Sequence, residues 1–333
     1  MNTDGIAGHA VQLGRLSAML KGGKVPHALL FTGVRGTGKM IIARRFTAAL
    51  HCGNSPAPCM KCAECVRFFG MAHPDHVELV PNEKGIIPIG SEDKREKGTV
   101  RGLLSRLSVK AIGGKTTAII DGVDSMTDEG QNAILKLIEE PPGNTFIVMI
   151  ASARGRMLPT VISRCLEMRF PELQDYEIRT IIESRGVAGR NLECSVRASG
   201  GSVESALALA EASVWDDISL LRDGMLNAVA GKTFLLDTAD LEKKLGKERL
   251  LDCMINVFRD VLHNSINNGM NCGETGVEYC ANNIETIIRI LCAVREGLSR
   301  NVNIRNALKG LLYSLRSAGK IESEAFGDNV LRM

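Results

Sequence analysis

The sequence has few aromatic residues, little net charge and no long apolar run. Aromatic residues make up 4% of the 333 residues, with one Trp and three Tyr, which argues against a carbohydrate-stacking site or an antibody-like sandwich. Lys and Arg exceed Asp and Glu by only three, so no global field marks a stand-alone nucleic-acid-binding protein. No apolar stretch approaches the roughly 18 residues of a membrane span. Since a secretory signal pattern is also lacking, we expect a cytoplasmic protein without a membrane partner.

The chain is long enough for two or three domains, and 44% of its residues are hydrophobic. In the first half, short apolar runs alternate with helical patterns, which is typical of a parallel sheet flanked by helices. The predicted strands are 28–32, 77–80, 117–120, 146–150 and 166–170, and the predicted helices are 12–20, 40–50, 100–107 and 127–139. Later patterns are helical. We predict an α/β domain over 1–171, a small helical domain over 172–209 and a larger helical domain over 210–333.

A phosphate-binding loop is the strongest motif in the sequence. The segment GVRGTGK at 33–39 follows an apolar strand and precedes a helix, the context that a GxxxxGK loop requires. Gly33, Gly36 and Gly38 allow backbone N–H groups to turn toward phosphate oxygens, and Lys39 would reach the outer phosphates. The sequence therefore predicts a nucleotide-binding type of fold.

Two positions that hydrolysis requires carry other residues. The residue after the loop lysine is Met40, where a Ser or Thr hydroxyl would coordinate magnesium. The strand at 117–120 leads to Asp121, but Gly122 follows it in place of the Glu that would orient the attacking water. We therefore expect a fold that does not hydrolyse ATP, and the sequence leaves open whether ATP or ADP still binds.

Four of the ten cysteines lie within fourteen residues, at Cys52, Cys59, Cys62 and Cys65. Their spacing suits tetrahedral zinc coordination by four thiolates, with no position open for catalysis. Four free thiols on a loop would oxidise readily, and the overlap of the two Cys-x2-Cys pairs disfavours a redox motif. We predict a structural zinc site.

Several stretches resemble one family, the AAA+ subunits of the bacterial DNA polymerase III clamp loader. They are VPHALLFTG at 25–33, HPD at 73–75, NAILKLIEEPP at 132–142, LPTVISRC at 158–165 and NVN at 301–303. The resemblance implies an α/β AAA+ P-loop core, a five-stranded parallel sheet with helices on both faces. It further implies an inserted zinc module at about 52–65, a helical lid domain and an all-α collar domain.

The resemblance also implies roles for individual residues. Arg164 would act as an arginine finger on the ATP of a neighbouring subunit, a role worth roughly 10³–10⁵-fold in rate. Outside this segment, Arg164 would be interpreted as a salt-bridged arginine at the start of a strand. Ser152 matches the polar sensor position. Glu204 stands where an active family member carries an arginine for its own nucleotide.

Two functions follow from this family. The first is a non-hydrolysing subunit that joins gamma/tau and delta subunits in a five-subunit assembly, which loads the sliding clamp onto primer-template DNA. The alternative is an ATP-hydrolysing gamma/tau-type motor subunit, which the complete glycine-lysine loop and Asp121 favour. Met40, Gly122 and Glu204 all count against the motor. An unrelated AAA+ ATPase with a zinc module is a more distant alternative.

Overall fold

A computed structural model describes residues 1–91, 96–210, 212–229, 239–267, 281–297 and 306. The chain divides into two compact units, 1–173 and 174–333. The first unit contains strands β1 (Ala28–Thr32), β2 (His76–Leu79), β3 (Thr116–Asp121), β4 (Thr145–Ala151) and β5 (Leu166–Arg169). Its helices are α1 (Ala10–Gly22), α2 (Lys39–His51), α3 (Ala63–Phe69), α4 (Val100–Leu107), α5 (Asp128–Ala133), α6 (Leu135–Glu139) and α7 (Pro159–Ile162).

The five strands form one parallel sheet in the order β2-β3-β4-β1-β5. Alternate residues of each strand face opposite sides, as the pleat requires. Leu29 and Phe31 pack in a buried cluster with residues of α1 and α2. Ala28 and Leu30 pack in a second cluster with residues of α4 to α7. The predicted parallel sheet with helices on both faces is therefore confirmed.

The predicted helix 127–139 is two shorter helices, α5 and α6, which meet at Ile134. Thr127 accepts a hydrogen bond from the Gly130 N–H at 3.2 Å and caps α5. Ile134 is fully buried and has φ −84° and ψ −10°, close to helical values. Because Ile134 stays in the core, the apolar stripe continues across the break to Leu137 and Ile138, which are both buried.

The second unit is helical wherever the structure describes it. Its helices are α8 (Asp175–Glu183), α9 (Arg190–Ala198), α10 (Val203–Leu209), α11 (Ala212–Val229), α12 (Ala239–Leu245), α13 (Lys247–Asn267) and α14 (Ala281–Gly297). Ala198 and Leu209 belong to the same buried cluster as Phe258 and Leu291, so α9 and α10 share a core with the later helices. The separate lid and collar domains stay a prediction. Residues 301–303, which carry part of the resemblance, lie outside the described residues.

Within the described ranges, no helix combines the length and the apolar character needed to cross a bilayer.

Candidate functional site

The phosphate loop lies between β1 and α2, and glycine is required at its start. Gly33, Gly36 and Gly38 have φ values of 145°, 78° and 91°. A Cβ atom on Gly33 would lie 2.0 Å from the carbonyl oxygen of Phe170, whose backbone N–H donates to Thr32 O. The loop is therefore held closely against the end of β5, with Gly38 directly preceding the N-terminus of α2.

Three carbonyl groups of the loop receive hydrogen bonds from side chains. Lys39 Nζ donates to Gly33 O at 2.7 Å and to Val34 O at 2.6 Å. His9 Nε2 lies 2.9 Å from Thr37 O, and because a carbonyl oxygen only accepts, Nε2 must carry the hydrogen. A loop whose carbonyl groups are satisfied in this way has its N–H groups to offer to phosphate oxygens. No local pattern predicts this role for His9, which lies 28 residues from its partner.

The charged groups next to the loop shift the pKa values of one another. Burial lowers the pKa of Lys39 to about 8, although the carboxylates of Asp121 and Asp124 oppose this change. Burial also raises the pKa of Asp121, and Lys39 opposes that change in turn. The loop lysine and the carboxylate at the end of β3 therefore lie in one electrostatic site, as the motif predicts.

The two altered positions have structural roles of their own. The Met40 side chain packs against the apolar cluster that contains Phe46 and Leu16. Gly122 has φ 79°, and a Cβ atom there would lie 2.9 Å from Pro81 Cγ. The backbone at position 122 therefore disfavours any side chain, a glutamate included.

The Asp124 carboxylate accepts hydrogen bonds from a turn and not from the phosphate loop. Its Oδ2 atom accepts hydrogen bonds from Ala153 N at 2.7 Å and from Ser152 N at 3.2 Å. This contact fixes the chain where β4 ends and leaves Ser152 exposed at the surface. The predicted sensor residue is thus held by its backbone while its side chain faces outward.

Arg164 lies between α7 and β5, with 40% of its side chain exposed. Its Nε donates to Glu139 Oε1 at the end of α6, and its Nη1 donates to Thr160 O at 3.0 Å. The guanidinium group is thus at the surface and already oriented by two acceptors. The ion pair is what a salt-bridged arginine requires, and the surface exposure is what an arginine finger requires. Arg164 has both features.

The four clustered cysteines converge in the structure. The Sγ atoms of Cys52, Cys59, Cys62 and Cys65 all lie within 4.8 Å of one another. Tetrahedral zinc with Zn–S bonds of about 2.3 Å places its sulfur atoms at comparable separations. The backbone N–H groups of Cys59, Cys62 and Cys65 lie 3.3–3.4 Å from the sulfur of a preceding cysteine. The donor set and its spacing therefore fit a metal ion bound by four thiolates.

The environment of Cys59 favours its thiolate. Hydrogen bonds from the Asn54 side chain and from the backbone N–H groups of Lys61 and Cys62 lower the pKa of the Cys59 thiol to about 5. Since a metal binds the thiolate, this surrounding assists coordination at neutral pH.

A buried chain of hydrogen bonds connects α2 to the sheet next to the cysteine cluster. Thr117 Oγ1 lies 2.9 Å from both His51 Nε2 and His76 Nδ1, and His76 Nε2 lies 3.3 Å from Glu78 Oε1. Arg44 donates two hydrogen bonds to Glu78, of 2.8 and 2.6 Å. Burial alone would raise the pKa of Glu78, but the His76 and Arg44 hydrogen bonds outweigh it and lower the pKa to about 2.

Comparisons with known proteins agree with this geometry. The family model described as "DNA polymerase III, delta subunit" matches residues 8–174, half of the chain. DNA polymerase III subunit delta' of Bacillus subtilis is 25% identical, over 88% of this chain and 92% of the relative. Subunit delta' of Pseudomonas aeruginosa is 32% identical over 44% of this chain and 43% of the relative. Subunit gamma/tau of Mycobacterium bovis is 31% identical over 58% of this chain, but the match spans only 34% of that relative.

The family model covers the phosphate loop, the cysteine cluster and the segment around Arg164 together. It also covers four of the five stretches that carry the resemblance seen in the sequence, which is thereby confirmed. The chain belongs to the family described as DNA polymerase III, delta subunit, and is an AAA+ subunit of the clamp-loader kind that acts in DNA replication.

Proposed function

We propose that this chain is the non-hydrolysing delta prime subunit of a DNA polymerase III clamp loader. The observation that carries the proposal is the backbone at Gly122, where φ is positive and a side chain would meet Pro81. The local backbone conformation therefore disfavours a glutamate at position 122. Met40, which packs in the core, supplies no oxygen to a magnesium ion.

In the same proposal, Arg164 acts on the ATP of a neighbouring subunit. Its exposed guanidinium group follows a short helix and is oriented before any partner binds. A planar guanidinium group with several donors suits the outer phosphates, where charge develops during phosphoryl transfer. The neighbours would be gamma/tau and delta subunits in a five-subunit ring-like assembly. That assembly would place the sliding clamp on primer-template DNA, with a lid at 172–209 and a collar at 210–333.

The cysteine cluster has a structural part in this proposal. Cys52, Cys59, Cys62 and Cys65 would hold one zinc ion, because zinc favours four thiolates in tetrahedral geometry. Four thiolates would complete the coordination of the ion and would leave no position for a substrate.

The alternative is an ATP-hydrolysing motor subunit of the gamma/tau type. Two observations favour it: the gamma/tau relative is 31% identical over 206 residues, and the phosphate loop keeps its glycines and Lys39.

ATP turnover by the purified chain, with and without magnesium, distinguishes the two functions. We expect no turnover in either condition, whether or not nucleotide binds. Magnesium-dependent turnover that the Lys39→Ala substitution abolishes would establish the motor and refute the proposal.

The arginine finger is tested in a reconstituted clamp loader with hydrolysing subunits. We expect Arg164→Ala to leave the thermal unfolding of the chain unchanged and to lower ATP turnover by roughly 10³-fold or more at the neighbouring site. Arg154→Ala is the matched control, because Arg154 is also an exposed arginine in an ion pair, 3.0 Å from Glu167. Unchanged turnover with Arg164→Ala would remove the finger.

A further inference from the structure

Glu139 and Arg164 form an ion pair at the surface of the first unit, although 25 residues separate them along the chain. The side chains are 46% and 40% exposed, so the pair is well solvated. Exposed ion pairs contribute little to folding stability, because solvent screens them and both side chains lose rotational freedom. A contribution to folding stability is therefore a weak explanation for the presence of this ion pair.

The backbone on both sides of the pair is anchored. His27 Nε2 lies 2.8 Å from the carbonyl oxygen of Ile138, which is 1% exposed and directly precedes Glu139. On the other side, Cys165 Sγ donates to Val161 O at 3.1 Å directly after Arg164. Two exposed side chains thus extend from two fixed points of the backbone. The backbone that carries each member of the pair is therefore held in place.

The guanidinium group is held on two of its three nitrogen atoms. Glu139 Oε1 accepts from Nε, and Thr160 O accepts from Nη1 at 3.0 Å. A free arginine side chain samples many rotamers, whereas these two acceptors select one. These two hydrogen bonds use two of the five N–H donors of the guanidinium group and fix the orientation of the others.

We propose that Glu139 is a positioning residue that holds Arg164 ready to contact the phosphates of a neighbouring subunit's nucleotide. This inference rests on the proposed function, since it requires Arg164 to act in trans. The advantage is entropic: a guanidinium group that is fixed before assembly need not be ordered during the reaction. Glu139 touches no substrate and acts only through Arg164.

The test uses the reconstituted complex, with kcat and KM for ATP measured for four variants of this chain. We expect Glu139→Ala to lower kcat about 3- to 10-fold with little change in KM, because the lost interaction is one that matters in the transition state. Glu139→Gln should restore most of the rate, since its amide oxygen still accepts from Nε. Glu140→Ala, at an adjacent exposed carboxylate, should match the unaltered chain. Arg164→Ala sets the full loss, and thermal unfolding shows that each variant is folded.

Each outcome bears on one of the two ideas. If Arg164→Ala abolishes turnover and Glu139→Ala behaves like Glu140→Ala, the finger stands and the positioning role is wrong. A higher kcat with Glu139→Ala would also overturn it, since the carboxylate would then compete with phosphate for Arg164. Loss with both Glu139→Ala and Glu139→Gln, together with lower thermal stability, would show a structural role instead. If Arg164→Ala has no effect, the proposed function itself fails.

Discussion

The two ends of helix α2 differ in how complete their sets of binding groups are. At its N-terminus, the phosphate loop keeps its three glycines and Lys39, but Met40 stands where a magnesium ligand belongs. At its C-terminus, Cys52 directly follows the helix and belongs to a complete set of four converging thiols. A phosphate cradle needs only backbone N–H groups and a helix terminus, whereas hydrolysis needs particular side chains. The comparison shows that the groups that build structure are complete at both ends, whereas the side chain at position 40 offers no oxygen atom to a magnesium ion.

The largest expected effect is at the cysteine end. We expect Cys62→Ser to remove the metal, because the thiolates act as one set and structural zinc supplies about 10–16 kcal/mol at neutral pH. Elemental analysis should show loss of one metal ion per chain, and thermal unfolding should shift to lower temperature. Cys165→Ser is the control, since that thiol lies outside the cluster and donates to Val161 O. An unaltered chain that is folded and free of metal would refute the site.

At the phosphate end, a matched pair of glycine substitutions separates packing from backbone strain. We expect Gly33→Ala to destabilise the first unit by about 3 kcal/mol or more, because its Cβ would lie 2.0 Å from Phe170 O. Gly38→Ala should cost only about 1–2 kcal/mol, since its Cβ meets open space and only the positive φ is unfavourable. Equal losses in urea denaturation would contradict the close approach of the loop to β5.

The substitution Thr117→Val tests the buried chain of hydrogen bonds next to the cysteine cluster. The substitution keeps the shape but leaves His51 Nε2 and His76 Nδ1 without their shared partner. We expect a loss of about 1–3 kcal/mol in the free energy of unfolding. Thr47→Val should cost less, because the Thr47 hydroxyl bonds only to carbonyl groups of its own helix. If the two variants are equally stable, the chain through Thr117 is not a stabilising contact.

The smallest expected effect is at the altered magnesium position. We expect Met40→Thr to produce no ATP turnover, because a hydroxyl group there still lacks the carboxylate that Gly122 cannot supply. A steady-state phosphate-release assay with magnesium checks this. Turnover in the single variant would mean that position 40 alone had prevented hydrolysis.

Local patterns predicted most elements of the first unit. The predicted strand 28–32 matches β1, and the other predicted strands lie within about one residue of the observed ends. The signal is clearest for β1 and β4, which are buried apolar runs at the centre of the sheet. The helix 100–107 is also as predicted, since Thr99 caps it by accepting from Gly102 N at 3.0 Å. The break at Ile134 was missed because the apolar stripe continues through it.

Contacts between distant residues could not be predicted. His9 binds the phosphate loop 28 residues away, and Thr117 joins His51 to His76 across 66 and 41 residues. A single histidine such as His9 has no spacing to other residues from which a functional role could be predicted. Such contacts depend on the order of strands in the sheet, which periodicity does not report.

The phosphate loop and the cysteine ligand set could both be predicted from the amino-acid sequence, because each depends on short spacings within one segment of the chain. Three contacts became visible only in the folded chain: Asp124 binds the turn at 152–153, Gly122 lies against Pro81, and Arg164 pairs with Glu139. Each of these contacts joins elements that are far apart along the chain. Their partners are selected by parallel strand order and by packing on the two faces of the sheet, and neither is encoded in any local pattern.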